Sequence, residues 1–307
     1  MLLRILQDIS PVFLVIALGF FSRRRGFLPE AFSEAANRFV YNIGIPLLIF
    51  GQVAPGDFSR NFRPEQIAAI LLAVLAAAAI GLLLATLLRL PARTALTFTQ
   101  DCFHGNTGFI ALAMLLYVLG PEGLAAGSVL AGFTMLVNNT LSLVLFTYAP
   151  RRDRCCPRAT LRTFLENPII AATMLGLAFS ALRVPLPVIA LRSIKIVSDM
   201  ALPVALLIIG GSLTPAMRGR LPLASLASLV KLMALPALGV LAFRLFGAAG
   251  DAVTVAILLG SPAATLSYVM AREMDGDPEL AAATVTASTV LSSAGYTFWI
   301  ALLGRPG

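Results

Sequence analysis

Residues 100–108 read Gln-Asp-Cys-Phe-His-Gly-Asn-Thr-Gly and lie within an apolar run at 97–119. The glycines and the asparagine lower the helix propensity of this stretch. A second apolar run, at 252–270, contains Gly-Ser-Pro at 260–262, whose proline removes a backbone N–H and clashes with the preceding turn. Because Pro262 follows Gly105 by 157 residues (262 − 105 = 157), both runs are predicted to be broken at equivalent points.

The same offset of 157 residues relates further positions along the chain. With 19 prolines in 307 residues, fewer than one matched proline pair is expected by chance over roughly 150 aligned positions, and three are found. An internal duplication of this kind in an apolar chain is typical of secondary transporters. The matched positions are Pro11 and Pro168, Gly19 and Gly176, Asn42 and Asp199, Pro46 and Pro203, Pro121 and Pro278, and Glu122 and Glu279.

The composition indicates an integral membrane protein. Hydrophobic residues make up 58% and charged residues 12%, against about 45–50% and about 25% in soluble domains. Runs of about 20 apolar residues are long enough to cross a bilayer, and backbone groups in lipid must be satisfied within the segment, so we expect helices. Ten such runs are predicted, near 9–22, 36–54, 66–88, 97–119, 123–148, 165–182, 189–213, 221–246, 252–270 and 279–302.

The distribution of basic residues predicts the topology. The odd-numbered connections carry thirteen of the 23 lysines and arginines, which places these connections in the cytoplasm and both termini outside it. The prediction is one membrane domain over 1–307, with repeat one at 1–149, a cytoplasmic linker at 150–163 and repeat two at 164–307. Because each repeat holds five spans, an odd number, the second repeat enters the membrane in the inverted orientation.

Charge and cysteine content set limits on partners. Orientation and anionic lipid headgroups account for the net charge of +8, so no nucleic-acid partner is expected. Cys155 and Cys156 lie in the predicted cytoplasmic linker and imply no disulfide. No metal site and no cofactor are predicted.

The two broken runs predict an anion site. If they cross at the midplane, two half-helix N-termini, each equivalent to about half a positive charge, face one cavity. Asn106 could hydrogen-bond a carboxylate there without adding a charge, or could cap the unwound helix.

An ordered set of motifs runs along the chain: 42–46, 106–109, Asn167-Pro168, 201–203 with Gly210 and Leu213, Lys231 with Pro236, 261–264 and 286–289. This set resembles the auxin efflux carrier family, here a bacterial member related to the plant PIN proteins. The resemblance implies ten spans in an inverted five-plus-five repeat, a crossing of spans four and nine, movement of small organic carboxylates, and a homodimer. The chain has Ala111 and Ala113 where the family often has Gly and Pro.

Two groups of candidate site residues follow. The substrate-binding candidates are Asn106, Gly105, Thr107, Ser261, Pro262 and Asn42, and the candidates for a coupling site or charge pair are Asp101, Lys231 and Asp199. A carboxylate or ammonium group deep in a span needs a partner, water or a proton. Asp101 is therefore either a coupling-proton site or the partner of Lys231, and Asp199 either lines the cavity or lies near the boundary of span seven.

Other polar residues in the spans have two possible roles each. His104 either relays protons or packs in the core, and Asn138 and Asn139 either join helices or contact substrate.

The expected function is a secondary transporter that moves a small organic carboxylate across the inner membrane by alternating access. A sodium-coupled symporter resembling the bile-acid carriers would share this architecture. An intramembrane enzyme with Asp101 and Asp199 as an aspartyl pair is disfavoured, because the glycine-flanked aspartate motif of such proteases is missing. The expected partners are the substrate, membrane lipid and a second copy of the chain.

Overall fold

The computed structural model describes residues 2–56, 64–147, 168–213, 219–247 and 252–304. Asn167, Cys155, Cys156 and the linker at 150–163 lie outside the described residues. Within the described ranges all regular secondary structure is helical.

The first half of the chain forms helices α1 to α6, and the second half forms α7 to α13. The first six are α1 (Leu2–Arg24), α2 (Glu30–Phe39), α3 (Ile45–Val53), α4 (Pro64–Leu87), α5 (Ala92–Phe103) and α6 (Leu112–Thr147). The remaining seven are α7 (Pro168–Ala181), α8 (Val188–Ser212), α9 (Leu221–Leu229), α10 (Leu235–Leu245), α11 (Ala252–Leu259), α12 (Thr265–Glu273) and α13 (Pro278–Leu303).

The helices account for a multi-pass membrane protein. In the described residues six segments are long and apolar enough to cross a membrane, and α7 is a shorter apolar helix. Every one of the ten predicted spans overlaps at least one helix. The crossing of the membrane by all ten stays a prediction.

Prolines and one glycine explain the irregular turns. Wider π-helical turns at Val40–Gly44 and Val230–Ala234 directly precede Pro46 and Pro236, whose rings clash with the carbonyl of the preceding turn. Helix α6 is sharply bent at Gly120, which has a φ of 72°. Only glycine adopts this left-handed conformation readily, and a new straight segment starts at Pro121.

Helix boundaries and helix contacts repeat with the offset of 157 residues. Helix α4 begins at Pro64 and α9 at Leu221 (221 − 64 = 157). Gly19 of α1 packs on the backbone of α8, and its counterpart Gly176 of α7 packs against Val53 of α3. The two halves therefore exchange contacts: α1 packs on α8 of the other half, and α7 packs on α3.

Gly44 and Ala201 are also related by the offset, and they touch each other. A methyl group on Gly44 would lie 2.9 Å from the Ala201 Cβ. The two halves of the chain are thus in direct contact at Gly44 and Ala201.

Candidate binding site at the helix crossing

The two broken runs meet in a short antiparallel backbone pairing. Helix α5 ends at Phe103 and α11 at Leu259, and Gly105 pairs with Ala263 between the broken helices. The Asn106 N–H donates to the Pro262 carbonyl at 2.7 Å, and the Ala264 N–H donates to the His104 carbonyl at 3.0 Å. Both predicted breaks are present, and Gly105 lies opposite Ala263.

Asn106 has the geometry of an inverse γ-turn, with φ −76° and ψ 63°. The Thr107 N–H donates across this turn to the Gly105 carbonyl at 2.8 Å. The Asn106 side chain does not cap the following helix, and no described residue forms a hydrogen bond with its amide. Of the two roles that the sequence left open for Asn106, the capping role is therefore not seen.

Asn106 faces a cavity of about 670 Å³. Gly105 and Thr107 also line the cavity, as do Ala264 and Thr265, where α12 begins. Thr107–Ala111 form a π-helical turn that leads into α6, and α12 begins at Thr265, so two helix starts lie at the wall of one cavity. The Thr107 N–H is bonded to the Gly105 carbonyl, and the dipoles of both helices leave partial positive charge at these starts.

The cavity extends from the crossing to the end of α1. There it is bordered by Arg23, Glu30 and Glu34, and the Glu30 side chain is 77% exposed, so this end is open. Arg23 donates to Glu30 at 2.9 Å and to the Leu28 carbonyl at 2.9 Å. Between this mouth and the crossing, the wall is largely apolar and aromatic: Tyr41, Phe109, Met135, Ile208, Ile209, Leu266 and Val269.

Ser261 and Pro262 belong to the crossing but do not line the cavity. The buried Ser261 hydroxyl donates to the Leu258 carbonyl at 2.9 Å. The Pro262 carbonyl accepts the hydrogen bond from Asn106. These two residues shape the backbone on which Asn106 sits.

Asn42 and Asp199 do not line the cavity, so the prediction that Asn42 binds substrate there is wrong. Asp199 lies midway along α8, which is neither of the two positions left open for it, the cavity and the boundary of span seven. The Asn42 amide donates to the Arg38 carbonyl, one turn earlier, at 2.8 Å, and the residue faces outward. Asp199 forms an ion pair with Lys195 at 3.0 Å on the outer face of α8. Both polar groups find a partner on their own helix and do not need the protein interior.

Lys231 and Asp101 are both buried, but they do not pair. Lys231 Nζ donates to the Leu259 carbonyl at 2.6 Å, and both Asp101 oxygens lack a hydrogen-bond partner. Among the described residues no ion pair includes Lys231. The predicted pair is wrong because the broken end of α11 offers the ammonium group unpaired carbonyls instead.

His104 lines the cavity and is held by the core side chains behind it. Its Nδ1 lies 3.0 Å from the Ser142 hydroxyl and 3.3 Å from the Gln100 amide. Asn139 also lines the cavity, whereas Asn138 is buried.

Sequence reasoning missed the residues at the mouth and Thr265. Arg23, Glu30 and Glu34 lie beside an apolar run. Arg23 was counted only for the topology, and Glu30 and Glu34 entered no prediction. The offset could have found Thr265, since it places Thr265 opposite Gly108 (265 − 108 = 157).

Comparison with known proteins identifies the family of this chain. A family model described as membrane transport protein matches residues 4–300. The chain belongs to this family. The predicted membership of the auxin efflux carrier family is thereby confirmed, and an intramembrane enzyme is excluded because the family is one of transporters. The chain is also similar to an uncharacterized transporter of Methanothermobacter thermautotrophicus, with 27% identity over 97% of this chain and 98% of the relative.

Proposed function

We propose that this membrane transport protein is a secondary transporter that moves a small organic carboxylate by alternating access. The observation that carries the proposal is the Asn106 amide, which forms no hydrogen bond with any residue that the structure describes and faces a cavity beside two helix starts. Helix N-termini favour anions, and an amide donates to a carboxylate without a charge that must itself be neutralised.

The charges along the cavity favour a substrate with one carboxylate. Among the described residues its charged side chains are Arg23, Glu30 and Glu34, and Arg23 already bonds to Glu30. A second carboxylate would lose its hydration without gaining a cationic partner, and the free energy of this desolvation is unfavourable. An apolar or aromatic body, in contrast, fits the wall between the mouth and the crossing.

An inverted five-plus-five repeat is the architecture we propose for this transporter. The equivalent helix starts and the exchanged contacts of α1 with α8 and of α7 with α3 support it. In such a repeat the axis between the halves lies in the membrane plane, so Gly44 and Ala201 mark the midplane. We propose that both termini lie on the side of the inner membrane that faces away from the cytoplasm. The end of α1 is then on the cytoplasmic side, and the cavity opens toward the cytoplasm.

We further propose that Asp101 is the group that binds and releases a proton during transport. Asp101 is fully buried in α5. Among the described residues neither of its oxygens meets the geometry of a hydrogen bond, and the neighbouring Thr284 hydroxyl donates to the Leu280 carbonyl instead. An ionised carboxylate without a partner is expensive inside a membrane, so a carboxyl group here marks a functional site by default.

A homodimer is proposed from the outer face of α8. Asp199 lies two residues from Ala201, about 3 Å along the helix, and Lys195 about 9 Å away. Both face outward, with 59% and 74% of the side chain exposed. A charged pair so close to the midplane is costly in lipid. A second copy related by a two-fold axis would cover the pair and set Lys195 of each copy against Asp199 of the other.

Uptake by the purified protein in proteoliposomes tests the proposed function. The panel contains monocarboxylates with apolar or aromatic bodies and dicarboxylates such as malonate and malate, each with and without a proton gradient. We expect saturable uptake of a monocarboxylate, with little competition from dicarboxylates. Absence of carboxylate binding and uptake would refute the transport proposal, and preference for a dicarboxylate would refute the charge argument.

A further inference from the structure

The two ring nitrogens of His104 have different surroundings. Only 3% of the residue is exposed, and it lines the cavity next to Asn106. Its Nδ1 lies 3.0 Å from the Ser142 hydroxyl and 3.3 Å from the Gln100 amide nitrogen. Its Nε2 forms no hydrogen bond with any residue that the structure describes, and it is not sealed from solvent. Buried polar groups normally have a partner, so Nε2 is the ring atom that a ligand in the cavity can bond to.

The Gln100 amide decides which ring nitrogen carries the proton. Its nitrogen lies 3.2 Å from the Met270 sulfur as well as 3.3 Å from His104 Nδ1. A thioether only accepts hydrogen bonds, so the NH₂ group of the amide faces the sulfur, and turning the amide over would set two acceptors against each other. The second hydrogen of this NH₂ group points at Nδ1, which must therefore accept. In a neutral imidazole the other nitrogen then holds the proton, and the hydrogen-bond network assigns it to Nε2.

The Ser142 hydroxyl agrees with this assignment. A hydroxyl hydrogen rotates to suit its neighbours, so it can donate to Nδ1 from its distance of 3.0 Å. Gln100 lies on α5 and Ser142 on α6, and both are buried. Donors from two helices thus hold the Nδ1 side of the ring against the core, and the Nε2–H group is left for the cavity.

His104 and Asn106 are fixed on the same side of the crossing. The backbone at His104 is extended, with φ −77° and ψ 97°, and alternate residues of an extended segment share a face. The His104 carbonyl accepts from the Ala264 N–H, and the Asn106 N–H donates to the Pro262 carbonyl. Neither residue can turn away without breaking the pairing of the two broken helices. An imidazole N–H and an amide NH₂ group, both without a partner among the described residues, are therefore presented to one end of the cavity.

We propose that His104 is a second ligand of the substrate carboxylate, neutral and donating through Nε2–H. The inference rests on the proposed transport function and states how the anion is held. A carboxylate has two oxygens that accept, and Asn106 and His104 supply one donor to each. A primary amide of the same shape would set its own NH₂ group against one of these donors, so the site should reject the amide of a substrate that it binds.

The proton position can be measured directly, because His104 is the only histidine in the chain. Wild-type protein with isotope-labelled histidine nitrogens, purified without a histidine tag, is studied by NMR in nanodiscs near neutral pH. We expect a neutral ring with its proton on Nε2, and a shift of the Nε2 signal on addition of benzoate or hexanoate but not of benzamide or hexanamide. A proton on Nδ1, a charged ring, or ring signals that do not respond to a bound carboxylate would overturn the inference.

Two substitutions separate the two sides of the imidazole. In His104→Asn the amide oxygen lies near the place of Nδ1, so Gln100 and Ser142 keep an acceptor while the cavity loses its donor. Loss of a hydrogen bond to a charged group should weaken carboxylate binding about tenfold or more. In His104→Gln the amide nitrogen lies near the place of Nε2, so binding should stay within a few-fold of the wild type. A role in packing alone predicts the reverse order, with His104→Asn the less impaired variant.

Ser228→Ala is the matched control. Ser228 is buried on α9, and its hydroxyl donates to the Ala224 carbonyl of the same helix, so this variant should bind benzoate and hexanoate as the wild type does.

The outcomes separate this inference from the proposed function. If the wild type binds a carboxylate and His104→Asn binds it as tightly, the inference fails while the transport function stands. Equal affinity for a carboxylate and its amide overturns the inference in the same way. If the wild type neither binds nor moves any carboxylate, both fail. If His104→Asn does not fold, the labelled wild-type protein decides.

Discussion

Gly105 lies directly against the ammonium group of Lys231. A methyl group on its α-carbon would be 2.8 Å from Lys231 Nζ and 2.5 Å from the Ser261 hydroxyl. Both distances are shorter than real contacts of a Cβ atom, so any side chain at this position must displace the two groups that cap α11. The glycine is thus required by close approach and not by an unusual backbone angle.

Gly105→Ala is therefore expected to impair transport and stability together. Overpacking costs about 1–3 kcal/mol, which for a chain of this size lowers the unfolding midpoint by a few degrees. The matched control is Gly219→Ala, before α9 and away from the cavity, because a methyl group there would have no neighbour within 4 Å. A Gly105→Ala protein with wild-type uptake and wild-type melting would show that the crossing tolerates the methyl group.

Asn106→Ala is expected to weaken substrate binding while the fold survives. A hydrogen bond to a charged group is worth about 1.5–3 kcal/mol, so the affinity should fall roughly tenfold to a hundredfold. The backbone break remains, since the change removes only a side chain that makes no hydrogen bond. Asn42→Ala is the control, because that amide bonds to its own helix on the outer face. Titration of substrate against both variants checks the prediction, and unchanged affinity in a folded Asn106→Ala protein would move the site elsewhere.

The pair of Lys195 and Asp199 is expected to support a dimer in lipid nanodiscs. Lys195→Met leaves Asp199 without a counter-charge close to the midplane, so the dimer fraction should fall several-fold. The exchange variant, Lys195→Asp with Asp199→Lys, keeps opposite charges both within and between copies and should restore it. Mass measurement of the nanodiscs decides, and a wild-type monomer would rule the dimer out. Arg93→Met is a control, since it removes a cation from an exposed ion pair on a different helix, with Asp275.

Cysteine labelling is expected to place the linker at 150–163 in the cytoplasm. An impermeant thiol reagent should modify Cys155 and Cys156 in inside-out vesicles and leave them unmodified in intact cells. Cys102 is fully buried and should stay unreacted in both preparations of folded protein. Labelling in intact cells would reverse the predicted orientation of every span.

Sequence predicts the broken helices well because glycine and proline act locally. The breaks at Gly105 and Pro262 depend on backbone geometry that these residue types impose wherever they occur. The offset relates Gly105 to Pro262 but does not predict which residues face each other, and the antiparallel hydrogen bonds place Gly105 opposite Ala263.

The partners of polar residues are harder to predict, and the errors have a common cause. Lys231 binds a backbone carbonyl, and a carbonyl leaves no trace in the sequence. Asn42 became a substrate-binding candidate through the motif at 42–46, and Asp199, its counterpart under the offset, was left open between the cavity and the boundary of span seven. Each side chain instead bonds to a group four residues earlier in the chain. The local sequence permits these bonds but does not predict them.

The packing of α1 on α8 has a consequence for the making of the protein. Gly19 meets the backbone at Leu207, so the ribosome must add 188 residues (207 − 19 = 188) before α1 finds its neighbour. Until then the close-packing face of α1 has only lipid or a chaperone against it, and the face of α3 has no partner until α7, at Pro168–Ala181, has been made. A chain terminated between the two halves should therefore be a substrate for quality-control proteolysis, and two separately expressed halves should each be rescued by the other.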